Sequence, residues 1–112
     1  MKIFISQPMS GLSDKEILDN RIAIIEYLEK IYHDVYIIDS YIGDINVKRS
    51  KYLSYAKCEP VYFLGESIRM MADADLVFFA KGWDKSRGCC IEEKIASEYG
   101  IPKKYEEDSN GK

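Results

Sequence analysis

Glu92 occupies a position that helical spacing would give to an apolar residue. On a wheel of about 100° per residue, Ile91, Ile95, Ala96 and Tyr99 define an apolar arc and Glu92 falls inside it. Glu93, Lys94, Ser97 and Glu98 fall outside that arc. A carboxylate on a buried face is costly unless it is paired or used. Glu92 also lies in a first helical turn, where the helix dipole favours negative charge. The residues alone leave two readings open. Either Glu92 caps its turn or pairs with Arg87, or it faces a ligand as a nucleophile or acid–base group. Glu93 reads as a solvated surface acid.

Candidate partners stand just upstream, in Gly82-Trp83-Asp84-Lys85-Ser86-Arg87-Gly88. Asp84 is a second carboxylate that could share the work of nucleophile and general acid. Spacing alone favours a turn or cap role for it. Trp83 would stack on a base or cover the sheet edge. Ser86, Arg87 and Gly88, at the start of a helix, suit a phosphate or carboxylate. A first loop, Gln7-Pro8-Met9-Ser10-Gly11, offers Gln7, Met9, Ser10 and Gly11 for ligand contacts. It is neither GxGxxG nor GxxxxGK[ST], so a dinucleotide fold or P-loop has no motif support. Asp39 would reach a sugar hydroxyl or act as a cap. Tyr41, Tyr52 and Tyr55 would form a lid or cover the core's edge. His33 follows a helix and reads as a partner of its C-terminal dipole. Cys89 and Cys90 have no neighbouring base and read as packed thiols.

The elements that must position these residues alternate. Ile3-Phe4-Ile5 is a short strand, closed by the first loop. Ser13 with Glu16 is a capping box, and Ile17, Leu18, Ile22, Ile25, Leu28 and Ile31 carry a helix to about Tyr32. Val35 to Ile38 is a second strand. Residues 41 to 59 show no period, and a loop that long in a small domain is more often functional than idle. Pro60 opens a helix with Val61, Leu64, Ile68 and Met71 on its apolar stripe. Leu76 to Ala80 is a continuous apolar run, as in a parallel strand covered on both faces. A last helix runs from about Cys89 to Tyr99 and stops at Gly100 before Pro102. The pattern predicts a three-layer αβα, Rossmann-like or flavodoxin-like parallel sheet of four or five strands. Ligands on such sheets bind beyond the carboxyl ends of the strands, where the first loop, the long loop and Gly82 to Gly88 all lie.

A chain of 112 residues suits one domain. The net charge of −3 argues against a nucleic-acid backbone binder. No run of about 18 apolar residues is present, so no transmembrane helix is expected, and the N-terminus reads as a strand instead of a signal peptide. The three cysteines, Cys58, Cys89 and Cys90, form neither a disulfide framework nor a zinc motif. A cytoplasmic protein without metal or cofactor is expected.

Several segments together carry a resemblance: Ile3-Phe4-Ile5-Ser6-Gln7-Pro8-Met9-Ser10-Gly11, Phe63-Leu64-Gly65-Glu66-Ser67-Ile68, Ala74-Asp75-Leu76-Val77-Phe78-Phe79, Gly82-Trp83, Ser86-Arg87-Gly88-Cys89-x-Ile91-Glu92 and Ala96-x-x-Tyr99-Gly100-Ile101. In combination they resemble a small family of unknown function common in phages and prophages. That family is similar to the nucleoside 2-deoxyribosyltransferases and nucleotide N-hydrolases. The resemblance implies a nucleoside 2-deoxyribosyltransferase-like domain over residues 1–102, while the charged composition of 103–112 reads as a disordered tail, with Lys104-Tyr105 as a last short strand the alternative. It also implies a nucleoside or nucleotide as the small-molecule partner and a homo-oligomer whose neighbour completes the site.

Glu92, with Ala96 four residues on, matches the nucleophile of those enzymes. It would attack the anomeric carbon, and water or a second base would resolve the glycosyl-enzyme with net retention. Asp84 is the nearest match to their sugar- and base-binding aspartate, with Ser86 an alternative at that position. The chain departs from the enzymes in its Gln-Pro-Met-Ser first loop and in Pro102-Lys103-Lys104-Tyr105-Glu106, which replaces an apolar final strand. A nucleotide binder without turnover is the competing expectation.

Overall fold

The computed structural model describes residues 1–38 and 57–106. Asp39, Tyr41, Tyr52, Tyr55 and the end of the chain lie outside the described residues. The two apolar runs form the central strands, β1 (Lys2–Ser6) and β3 (Leu76–Phe79). Both are rich in the β-branched and aromatic residues that fit a covered pleated surface. β2 (Tyr36–Ile38) flanks β1, and β4 (Lys103–Tyr105) flanks β3. The order is β2-β1-β3-β4 and every pairing is parallel. The register sets Ile5 beside Phe78 and Ser6 beside Phe79.

Side chains alternate along the strands, so the sheet has two apolar faces. Ile3, Ile5, Leu76, Phe78 and Ala80 pack under Ile24 and Leu28 of α1 (Asp14–Ile31). On the other face Phe4, Ile38, Val77 and Phe79 pack under Met71 of α2 (Glu59–Met71) and Ala96 of α3 (Arg87–Glu98). The result is a three-layer α/β fold with one helix on one face and two on the other. Phe4, Phe78 and Phe79 are fully buried. Truncating any of them to alanine would cost about 3–5 kcal/mol.

The helix ends follow their sequence signals. Ser13 Oγ accepts from the Glu16 amide and Glu16 Oε1 accepts from the Ser13 amide, which closes the capping box at 3.1 and 2.9 Å. Gly100, at φ +70°, lets the chain reverse after α3, and the Ile101 amide bonds to the Ala96 carbonyl at 2.9 Å. Asp75, which opens the third apolar run, takes the Lys2 amide on Oδ2 at 2.7 Å and so locks the start of β1 to β3.

The structure differs from the sequence reading in several places. α3 starts at Arg87, two residues earlier than the spacing implies, because Ser86 caps it by accepting from the Cys89 amide. Val61 and Tyr99, expected on apolar stripes, are 63% and 80% exposed. The buried side of α3 is centred instead on Cys89, Glu92 and Ala96. Of the two readings of the tail's start, the short strand is the one formed: Lys103–Tyr105 is held by ladder bonds to β3 despite its polar composition. Among the described residues no helix is long and apolar enough to cross a membrane.

Candidate functional site

The helices that follow β1 and β3 leave for opposite faces of the sheet. Their loops therefore part at the carboxyl edge and open a crevice, the position at which parallel α/β sheets bind ligands. A cleft of about 220 Å³ lies there, on the side of α2 and α3. The first loop contributes Gln7, Met9 and Ser10, and α2 contributes Pro60, Phe63, Leu64 and Ser67. Ser86, Gly88, Cys89 and Glu92 close the third side. The loop beginning at Gly82 abuts the first loop, with Pro8 Cγ 3.7 Å from where a Gly82 side chain would start.

Glu92 is 7% exposed and points into this cleft from the second turn of α3. Ser6 stands at the end of β1 on the same face as Phe4, and its hydroxyl donates to Glu92 Oε1 at 2.6 Å. Burial pushes the Glu92 carboxyl above the usual glutamate range, while the Ser6 and Ser67 hydroxyls favour the charged form and pull the other way. Among the described residues Glu92 has no ion pair, and Arg87 is exposed. Of the readings left open for this acid, the pairing with Arg87 is therefore not formed. The Cys89 thiol beside it is buried and pushed up, first by desolvation, against hydrogen bonds from Ser6 and Ser86. Cys90 Sγ donates to the carbonyls of Trp83 and Asp84, at 3.6 and 3.4 Å. Both thiols are packed.

Of the residues singled out from the sequence, Glu92, Gln7, Met9, Ser10, Ser86 and Gly88 come together around the cleft. Four others do not line it. Trp83 lies against Phe79 and Tyr105, with ring centroids 5.5 and 5.2 Å apart, and covers the sheet edge. That anchoring, after a left-handed Gly82 at φ +89°, turns the 3-10 segment Trp83–Lys85 outward and leaves Asp84 exposed. Gly11, at φ +81°, and Arg87 are exposed. Glu93 differs from the expected solvated acid. Its side chain is 23% exposed and bridges α3 to β4, taking hydrogen bonds from Tyr105 Oη at 2.7 Å and Ser97 Oγ at 2.9 Å, with Lys103 Nζ 3.4 Å away. These partners, Tyr105 first, hold its carboxyl below the usual range.

Sequence reasoning assigned no site role to Ser6, Ser67, Phe63 or Leu64. A signal was present: Ser6 ends an apolar strand at the switch point, and Ser67 is a polar residue on the stripe that Phe63 and Leu64 share. A family model described as a domain of unknown function (DUF4406) matches residues 1–105. No curated protein and no solved structure matches the chain.

Proposed function

The chain belongs to the DUF4406 family, and we propose that within it this protein acts on a nucleoside or nucleotide, cleaving or transferring its N-glycosidic bond through Glu92. The observation that carries the reading is one buried carboxylate, unpaired with any cation among the described residues, aimed into a cleft at the switch point. An ionised Glu92 attacks the anomeric carbon, and the carbon–nitrogen bond breaks with its electron pair going to the base, which takes a proton. The glycosyl ester then yields to water or to a second base, which restores the carboxylate. Ser6 holds Oε1 in place, and the Ser67 hydroxyl also favours the charged carboxylate. The small cleft, below the ~300–1,000 Å³ usual for ligand pockets, fits a sugar ring with the base extending into its mouth. The enzyme resemblance adds a homo-oligomer, which light scattering in solution would test.

A second reading has its own support. Glu92 is the one carboxylate among the described residues lining the cleft, whereas glycosidic chemistry commonly uses two. Binding of a nucleotide-like ligand without turnover needs only the one.

The test is base release, followed chromatographically, from deoxynucleosides, ribonucleosides and their 5′-monophosphates. Release that disappears in Glu92→Gln supports the enzyme. Stabilisation by a nucleotide without release, retained in Glu92→Gln, selects the binder. Neither release nor any stabilising nucleotide would end the proposal.

A further inference from the structure

α1 carries more apolar surface than the sheet uses. The arc it turns inward is Ile17, Arg21, Ile24 and Leu28, all buried. Leu18 and Ile22 lie about 100° round the helix from the centre of that arc, and they stay 42% and 54% exposed. Ile25, on the same flank, is half-buried at the margin of the core. Among the described residues α1 is the only helix on its face of the sheet.

This flank is a seam with ordered charge. Lys15, Leu18, Ile22, Ile25 and Glu29 recur at alternating steps of three and four, the spacing by which helices pair. The ends of the seam are opposite in sign. Lys15 reaches Asp19 at 2.7 Å, yet its side chain is 84% exposed. Glu26 and Glu29 are exposed at the other end. Reversed end for end, the seam is its own complement. Lys15 then meets the partner's Glu29, Leu18 meets the partner's Ile25, and Ile22 meets its own copy at the centre. A parallel alignment would set lysine on lysine and glutamate on glutamate. The acidic border also disfavours a lipid surface, which selects lysine and arginine there.

We propose that the Leu18–Ile22 flank of α1 is the interface of a homodimer, two copies of this chain joined by antiparallel α1 helices across a two-fold axis at Ile22. One helix flank lies at the small end of specific interfaces. The dimer is therefore weak and reversible, in the micromolar range.

The experiment is sedimentation of the full chain from micromolar to millimolar concentration, with thermal melts to verify folding. The expected result is a monomer–dimer equilibrium that Ile22→Glu abolishes. Lys15→Glu and Glu29→Lys should each weaken the dimer about tenfold, since every pair occurs twice. The double variant Lys15→Glu/Glu29→Lys should recover the native dissociation constant within about threefold. Each of these changes puts acid near the helix N-terminus or base near its C-terminus, which suits the helix dipole. Lost association in a single variant therefore does not stem from a weaker helix. A monomer at every concentration, a dimer that survives Ile22→Glu, or a double variant no tighter than the single ones would each overturn the proposal. The dimer is independent of the glycosidic reading. Base release by a chain that stays monomeric would overturn the dimer alone, and a dimer that releases no base would leave it standing.

Discussion

Glu92 and Glu93 are neighbours in sequence and opposites in environment. One flank of α3 carries Glu92 into the cleft, buried, with a hydroxyl for a partner and its carboxyl pushed up by desolvation. The other flank turns Glu93 towards β4, where Tyr105, Ser97 and Lys103 surround it and hold its carboxyl low. A rotation of about 100° separates the two. Charge at Glu93 is compensated by donors and glues a polar edge strand to the sheet. Charge at Glu92 is opposed by its environment, since desolvation there outweighs the serine hydroxyls, and stability alone does not reward such burial. Perturbed carboxylates are more frequent at functional sites than elsewhere, and the proposed reading of Glu92 draws on that tendency.

The largest expected difference between the two acids is catalytic. If the glycosidic reading holds, Glu92→Gln should lower base release by on the order of 10³-fold or more, whereas Glu93→Gln should leave it within about twofold. Comparable losses from both changes would erase the distinction between the two flanks.

The pH dependence comes next, with opposite signs. Folding raises the Glu92 carboxyl above its ordinary 4.5, so its favourable contribution is complete below 4.5 and is lost as pH climbs through the folded value. Glu92→Gln removes that loss and should unfold at a higher temperature than the native chain at pH 8, the two converging near pH 4. Glu93 is lowered from 4.5, so its contribution is present above 4.5 and is lost as pH falls through the depressed folded value. Glu93→Gln should therefore be less stable than the native chain at pH 8, with the gap closing in acid. Thermal melts at several pH values check both signs together.

Ser6→Ala should act on catalysis through Glu92. Loss of the 2.6 Å bond removes a donor that favours the charged form. The acid limb of the pH–rate profile should move to higher pH, with activity at neutral pH down about tenfold. An unmoved limb would mean that Ser6 contributes nothing to the acid's ionisation. Tyr105→Phe is the counterpart on the other flank, expected to cost about 1 kcal/mol in denaturant unfolding and to leave the profile in place. The smallest effect belongs to Ser86→Ala. Its cap bond is long, 3.4 Å, so a loss of about 0.5 kcal/mol is expected. It bears on the helix that both acids share.

Local rules made much of the fold legible. The two apolar runs, the Ser13–Glu16 capping box and the Gly100 stop specify their elements through interactions within a few residues. Parallel alternation then fixes the layers. The inward setting of Glu92 was also readable, because helical period is a local property. Other features were not. Spacing could not say that Trp83 would anchor on Tyr105 and carry Asp84 into solvent, since the partners are brought together only by β3–β4 pairing. Nor could it separate Glu93 from an ordinary surface acid, because its donors Lys103 and Tyr105 are brought beside it only by the pairing of β4 with β3.

The sequence by itself determined which residues form strands and helices and on which side of α3 each acid falls, since those follow from steric preference and periodicity along one segment. Only the tertiary structure decided what each acid meets there. Ser6 reaches Glu92 across 86 residues of chain, and hydrogen bonding, desolvation and the volume of a cleft depend on distances between segments that no local pattern encodes.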